Sequence, residues 1–129
     1  MWLVGGILGG IAILVVTLVV DTISLFNTDE PTLEGSAVVE VLNGSGIKRA
    51  GERISRFLSE KGFDVLFIGN ADDFEYGETI VVDCIGDMSK ARGVASFLRC
   101  RNVISQVEEA PLVEVRVIVG KDIAGIQAF

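Results

Sequence analysis

Residues 38–63 read VVEVLNGSGIKRAGERISRFLSEKGF, and a change of period inside this stretch decides the fold. Val38, Val39, Val41 and Leu42 form a short apolar, β-branched run of strand length. Asn43, Gly44, Ser45 and Gly46 follow, residue types that tolerate tight turns and positive φ. From Ile47 the apolar spacing becomes helical. Ile47, Ala50, Ile54, Phe57 and Leu58 share one face, with Lys48, Arg49, Glu52, Arg53, Arg56 and Glu60 on the other. Gly62 stops the helix, and Phe63 opens the next apolar run. The unit is a strand, a glycine turn and an amphipathic helix.

The same logic then repeats. Residues 63–68 read as a second strand and 71–78 as a loop carrying Asp72, Asp73, Glu75 and Glu78. Residues 79–85 form a third strand with Asp83 embedded in it, expected to point to the open sheet face. Gly86 breaks this strand, and Asp87 is a good N-cap for a helix with Met88, Ala91, Val94, Ala95 and Leu98 on its apolar side. Residues 103–107 give a fourth strand and 108–111 a turn. In 112–119 Val113, Val115, Val117 and Val119 alternate with Glu114 and Arg116, as in a fifth strand. The order βαββαβ(β) predicts an α+β, two-layer, ferredoxin-like domain with both helices on one sheet face. The first and third strands are expected at its centre, with the fifth paired to the fourth through a hairpin. The domain is expected to span residues 37–122, followed by a partly loose tail over 123–129.

Ahead of the domain, residues 2–20 are 19 consecutive residues without a charge. As a helix they would span roughly 28 Å, about the thickness of a bilayer's hydrocarbon core. No basic start and no small-residue cleavage pattern accompanies them, so an uncleaved single-pass anchor over 1–20 is favoured over a signal peptide. Gly5, Gly6, Gly9 and Gly10 form two overlapping GxxxG patterns, a means of pairing membrane helices into a homodimer. Residues 21–36 read as an acidic tether. Every charge of the −7 chain lies beyond Val20, and the nearest basic residue is Lys48. With no cation to retain the following segment, the domain is expected outside the cytoplasmic membrane.

The chain has no histidine, which removes the commonest catalytic base and metal ligand. No cofactor or metal is expected. Cys84 and Cys100 flank a helix of about 12 residues, roughly 18 Å long, far beyond disulfide reach, and are read as packing residues. The acids of 71–78 lack calcium-loop spacing and are read as a solvated turn. Asn43, Gly44, Ser45 and Gly46 lead into a helix N-terminus, which favours anions, but the turn lacks a phosphate-loop lysine and is read first as structural. Nine of the eleven basic residues sit in or beside the two helices. If both helices cover one face, Arg49, Arg53, Arg56, Arg92 and Arg99 line a basic surface suited to an anionic polymer or an acidic partner. Nucleic acid does not fit a pI near 4.5.

Val39-Glu40-Val41-Leu42-Asn43-Gly44-Ser45-Gly46 resembles the LytR C-terminal domain family. So do Gly62-Phe63, Gly69-Asn70-Ala71-Asp72, the Tyr76…Thr79-x-Val81-x-Asp83 run and Val117-x-Val119-Gly120-Lys121-Asp122. The resemblance implies an accessory module on the outer side of a membrane-anchored envelope protein. In that family the module often follows a LytR–CpsA–Psr catalytic domain, which attaches anionic glycopolymers to the cell wall. These 129 residues contain no such domain, so that activity is not carried over. The favoured function is a non-catalytic, membrane-anchored envelope module binding wall glycopolymer or an envelope protein. A dimeric membrane scaffold is the alternative, and an enzyme is the weakest reading.

Overall fold

The strand run, glycine turn and helix of 38–63 fold as their periods require. The computed structural model describes residues 36–125. The expected anchor, the tether up to residue 35, the glycines Gly5, Gly6, Gly9 and Gly10, and residues 126–129 lie outside the described part. Among the described residues no helix is long and apolar enough to cross a membrane. Strand β1 (Val38–Asn43) leads into helix α1 (Ala50–Glu60) and strand β2 (Asp64–Asn70). Strand β3 (Ile80–Asp83) leads into helix α2 (Met88–Leu98) and strand β4 (Val103–Ser105). Strand β5 (Val115–Val119) and a 3-10 turn (Lys121–Gly125) complete the unit.

The sheet order is β2-β1-β5-β3-β4. β1 is parallel to β2 and to β5, β3 is parallel to β4, and β3 is antiparallel to β5. This corrects the ferredoxin-like expectation: β5 lies in the centre instead of pairing with β4. The cause lies in the crossovers. Each helix joins two adjacent parallel strands, a connection that is almost always right-handed. Two crossovers of one hand on one face, between antiparallel units, must send β2 and β4 to opposite outer edges. The gap between β1 and β3 is then left for β5. Its composition suits the place, since Val115, Val117 and Val119 are fully buried.

The α+β class holds, and both helices cover the same face. Val39, Val41, Val81, Val115, Val117 and Val119 form the floor of one core. Ala50, Ile54 and Leu58 of α1 and Ala91, Val94, Ala95 and Leu98 of α2 form its roof. Phe63 and Phe97 meet edge-on at 5.5 Å between ring centres and close the layer. Two ends differ from expectation. Helix α1 starts at Ala50, because Ile47 is still in the turn, exposed, with its carbonyl accepting a 2.8 Å bond from Asn43 Nδ2. The packed chain also runs past residue 122, since Ile123 is 1 % exposed within the core.

Candidate functional site

Asn43 ends β1 and organises the turn that follows. Its Oδ1 accepts from the Ser45 N–H (3.1 Å) and the Ser45 hydroxyl (2.7 Å), and Ser45 Oγ accepts from the Ile47 N–H (3.0 Å). Gly46 adopts φ +73°, which only glycine takes without strain. The Gly44 N–H is used by the Val119 carbonyl at 2.9 Å. Much of this turn's polar capacity is thus spent internally, which favours the structural reading over an anion cradle.

The loop between β2 and β3 passes over the same end of the sheet. Tyr76 lies on Gly44, where a Cβ would come 2.5 Å from the ring and 3.2 Å from Ile118. The Tyr76 N–H donates to the Gly44 carbonyl (3.1 Å), and the Lys121 N–H donates to the Tyr76 carbonyl (2.8 Å). The Tyr76 hydroxyl donates to Asp72 Oδ1 at 2.8 Å, and this bond to a carboxylate raises the phenol above its ordinary pKa. Asp122 Oδ1 accepts from the Thr79 N–H (2.9 Å) and hydroxyl (2.7 Å), while Thr79 Oγ1 accepts from the Gly120 N–H (3.1 Å). Three distant segments are tied into one junction. Periodicity gave no warning of it.

Asp83 corrects a second expectation. It does not point to the open face but is fully buried at the end of β3. Its Oδ1 accepts from the Ile85, Gly86 and Asp87 N–H groups at 2.9–3.1 Å, and its Oδ2 accepts from the Ser105 hydroxyl at 3.0 Å. A carboxylate so fully bonded fixes the turn from β3 to α2 and holds β4 beside it. Asp83 and the Asn43–Gly46 turn end antiparallel strands and therefore lie at opposite ends of the sheet. No single pocket gathers them.

Arg49, Arg53, Arg56, Arg92 and Arg99 are all exposed on the helical layer. The helices run antiparallel, so Arg49 at the start of α1 and Arg99 at the end of α2 share one end of the layer. Among the described residues Arg49 and Arg99 are also the non-glycine residues with positive φ, 65° and 52°. Among the described residues Arg49, Arg56, Arg92 and Arg99 have no carboxylate at ion-pair distance, whereas Lys90 on the same layer is bonded to Glu114.

On the opposite, uncovered face Arg116 donates to Glu40 (2.7 Å) and Glu108 (2.8 Å). These bonds, the one to Glu40 foremost, hold its guanidinium charged. The Glu40–Arg116 pair spans the adjacent strands β1 and β5, a complement readable in sequence only once those strands are known to be neighbours. Shallow grooves of about 550 and 290 Å³ flank Tyr76 on this face, floored by Ile80 and Ile104 on one side and by Leu42 and Ile118 on the other. Among the described residues no group of three or more His, Cys, Asp or Glu could hold a metal ion. Cys84 and Cys100 are free thiols, and burial pushes both up in pKa.

The junction joins the residues that carry the family resemblance: Asn43, Gly44, Tyr76, Thr79, Gly120 and Asp122. A family model described as LytR cell envelope-related transcriptional attenuator matches residues 36–122. The chain belongs to this family. No curated protein matches the chain significantly. Among solved structures it is similar to the soluble domain of a conserved hypothetical secreted protein from Mycobacterium marinum, at 20 % identity and a TM-score of 0.57. The likeness covers 68 % of this chain and 61 % of that one, and it concerns the fold. In this LytR-family chain, the signature residues described above serve the architecture.

Proposed function

We propose that this LytR-family chain is a non-catalytic accessory module of the cell envelope, tethered outside the cytoplasmic membrane by residues 2–20 and binding an anionic wall glycopolymer through its helical layer. The observation that carries the reading is the convergence of Arg49, Arg53, Arg56, Arg92 and Arg99, all exposed, on helices that cover one sheet face. A polyanion would engage several of these charges at once, so its affinity should fall steeply with salt. Family membership supports the envelope setting, and the secreted nature of the Mycobacterium marinum protein agrees with an outer location. An enzyme is disfavoured because Asp83 is fully engaged within the fold, at the end of the sheet opposite the Asn43–Gly46 turn.

The test compares the wild-type chain with the combined Arg49→Gln, Arg53→Gln and Arg56→Gln variant on immobilised anionic wall polymer. The variant should lose retention at low salt, and moderate salt should release the wild type. Each of the three substitutions should change stability by less than about 0.5 kcal/mol, the usual range for a single surface substitution. Equal retention of the two proteins at either salt would reduce the arginines to a solvated face.

A further inference from the structure

Asn43-Gly44 is the chain's one Asn-Gly dipeptide; Asn27, Asn70 and Asn102 precede Thr28, Ala71 and Val103. The pair carries a chemistry of its own. An asparagine can be attacked at Cγ by the backbone nitrogen of the next residue. Glycine, with no Cβ to obstruct the approach, is the successor that permits this most readily. The deprotonated Gly44 nitrogen forms a bond to Asn43 Cγ as the Cγ–Nδ2 bond breaks. Nδ2 takes up a proton and leaves as ammonia, and a succinimide ring remains. Water then opens the ring at one carbonyl or the other, giving aspartate or an isoaspartate with an extra methylene in the backbone. No oxidant or reductant takes part.

We infer that Asn43 is a latent modification site of this kind, held shut by the fold and opened when the loop bearing Tyr76 lifts from the end of β1. Both reacting groups are restrained. The Gly44 N–H donates to the Val119 carbonyl at 2.9 Å, next to the paired Asn43 and Val119, so the nucleophile is committed to the sheet. The leaving nitrogen, Nδ2, donates to the Ile47 carbonyl at 2.8 Å. The donors on Oδ1, the Ser45 N–H and hydroxyl, would by contrast stabilise an oxyanion at Cγ. Protection therefore rests on the first two bonds and on the exclusion of solvent. Gly44 is buried, and Ser45 is 3 % exposed. The cover is Tyr76, whose ring stands where a Gly44 side chain would start and whose N–H donates to the Gly44 carbonyl. A reaction slow beside opening and closing reports the population of the open form. Refolding does not reverse it. Aspartate has no N–H for the Ile47 carbonyl, and isoaspartate lengthens the backbone between β1 and α1. Opening of this corner is thus recorded in the turn itself.

The test holds the full chain in detergent and mildly alkaline buffer, folded or unfolded in urea, and follows each asparagine by peptide mapping and mass spectrometry. Asn43 should convert fastest of the four in urea, and about tenfold or more slowly in the folded chain. Tyr76→Ala uncovers Gly44 without altering either reacting group. It should restore much of the rate while circular dichroism still reports a folded chain. Amide hydrogen exchange needs no variant: the Gly44 amide should exchange far more slowly than that of exposed Lys48. Equal Asn43 conversion in the folded and unfolded chains would overturn the inference, as would Gly44 exchange as fast as that of Lys48. A different asparagine leading in urea would remove the special reactivity of the pair and overturn it too. So would a folded Tyr76→Ala chain that converts at the wild-type rate, because the cover would then lie elsewhere.

Discussion

Gly120 shows how tightly single residues are constrained at the junction. A Cβ on it would overlap the Glu78 carbonyl carbon and stand 2.7 Å from the Thr79 nitrogen, two atoms of one peptide whose N–H donates to Asp122. At Gly44 the obstructing atoms belong to the Tyr76 ring, which can rotate or lift. Both glycines therefore resist a methyl group, but unequally. Gly44→Ala should cost about 1–3 kcal/mol, the usual penalty of overpacking, and Gly120→Ala more than that. Urea unfolding of the two variants would show the order, and equal costs would mean the backbone at Glu78 yields as easily as a side chain. These residues were visible in the sequence as a family signature, whereas their purpose was not. The bond between Thr79 and Asp122 spans 43 positions, and no local period records such a contact.

Helix α2 shows the opposite case, an element legible from its residues alone. Asp87 was expected as its N-cap, and its carboxylate accepts the Ser89 N–H at 3.1 Å. Bonds from the Ser89 hydroxyl and amide, together with nearby Lys90, hold the Asp87 carboxyl below its ordinary pKa. The sign follows from linkage. A carboxyl more acidic in the folded than in the unfolded chain stabilises the fold above its unfolded pKa, and that contribution fades as pH falls through the folded value. Asp87→Asn should therefore flatten the loss of stability on the acid side of pH 4 while changing its pH dependence little near neutrality. Thermal melts between pH 2 and 7 would read this, and parallel profiles for the two proteins would refute it. Helix α1 was less legible at its start. Its period extends back to Ile47, but Arg49 caps the helix with φ 65°, outside the helical region, while the Ile47 carbonyl accepts from Asn43 Nδ2 and the Ala50 N–H within the turn, so the helix begins at Ala50. Period counting does not see a backbone reversal at a single residue.

At the scale of the whole domain, two similar halves are locked by a fifth strand. Asn43 and Asp83 close equivalent strands, Gly46 and Gly86 follow each three residues later with positive φ, and the Ala71 and Gln106 amides bond back to the two strand-end carbonyls. This repetition was readable in the order of periods. The place of β5 was not, because adjacency in sequence suggested a hairpin with β4, whereas two crossovers of one hand reserve the centre of the sheet. A strand in the centre also draws its continuation inward. The chain leaving β5 turns through Lys121–Gly125 and buries Ile123 against the core that both halves share. Ile123, the first residue of a tail expected to be partly loose, therefore helps to hold the halves together. Ile123→Ala should cost about 2–5 kcal/mol and Ile123→Val about 0.5–1.5 kcal/mol, the usual range for truncating a buried isoleucine. Ending the chain after Asp122, at the limit of the family match, should cost at least as much as the alanine change and lower the urea midpoint of the whole domain in one transition. If the shortened chain unfolds at the wild-type midpoint, Ile123 is dispensable and the halves are secured by β5 alone.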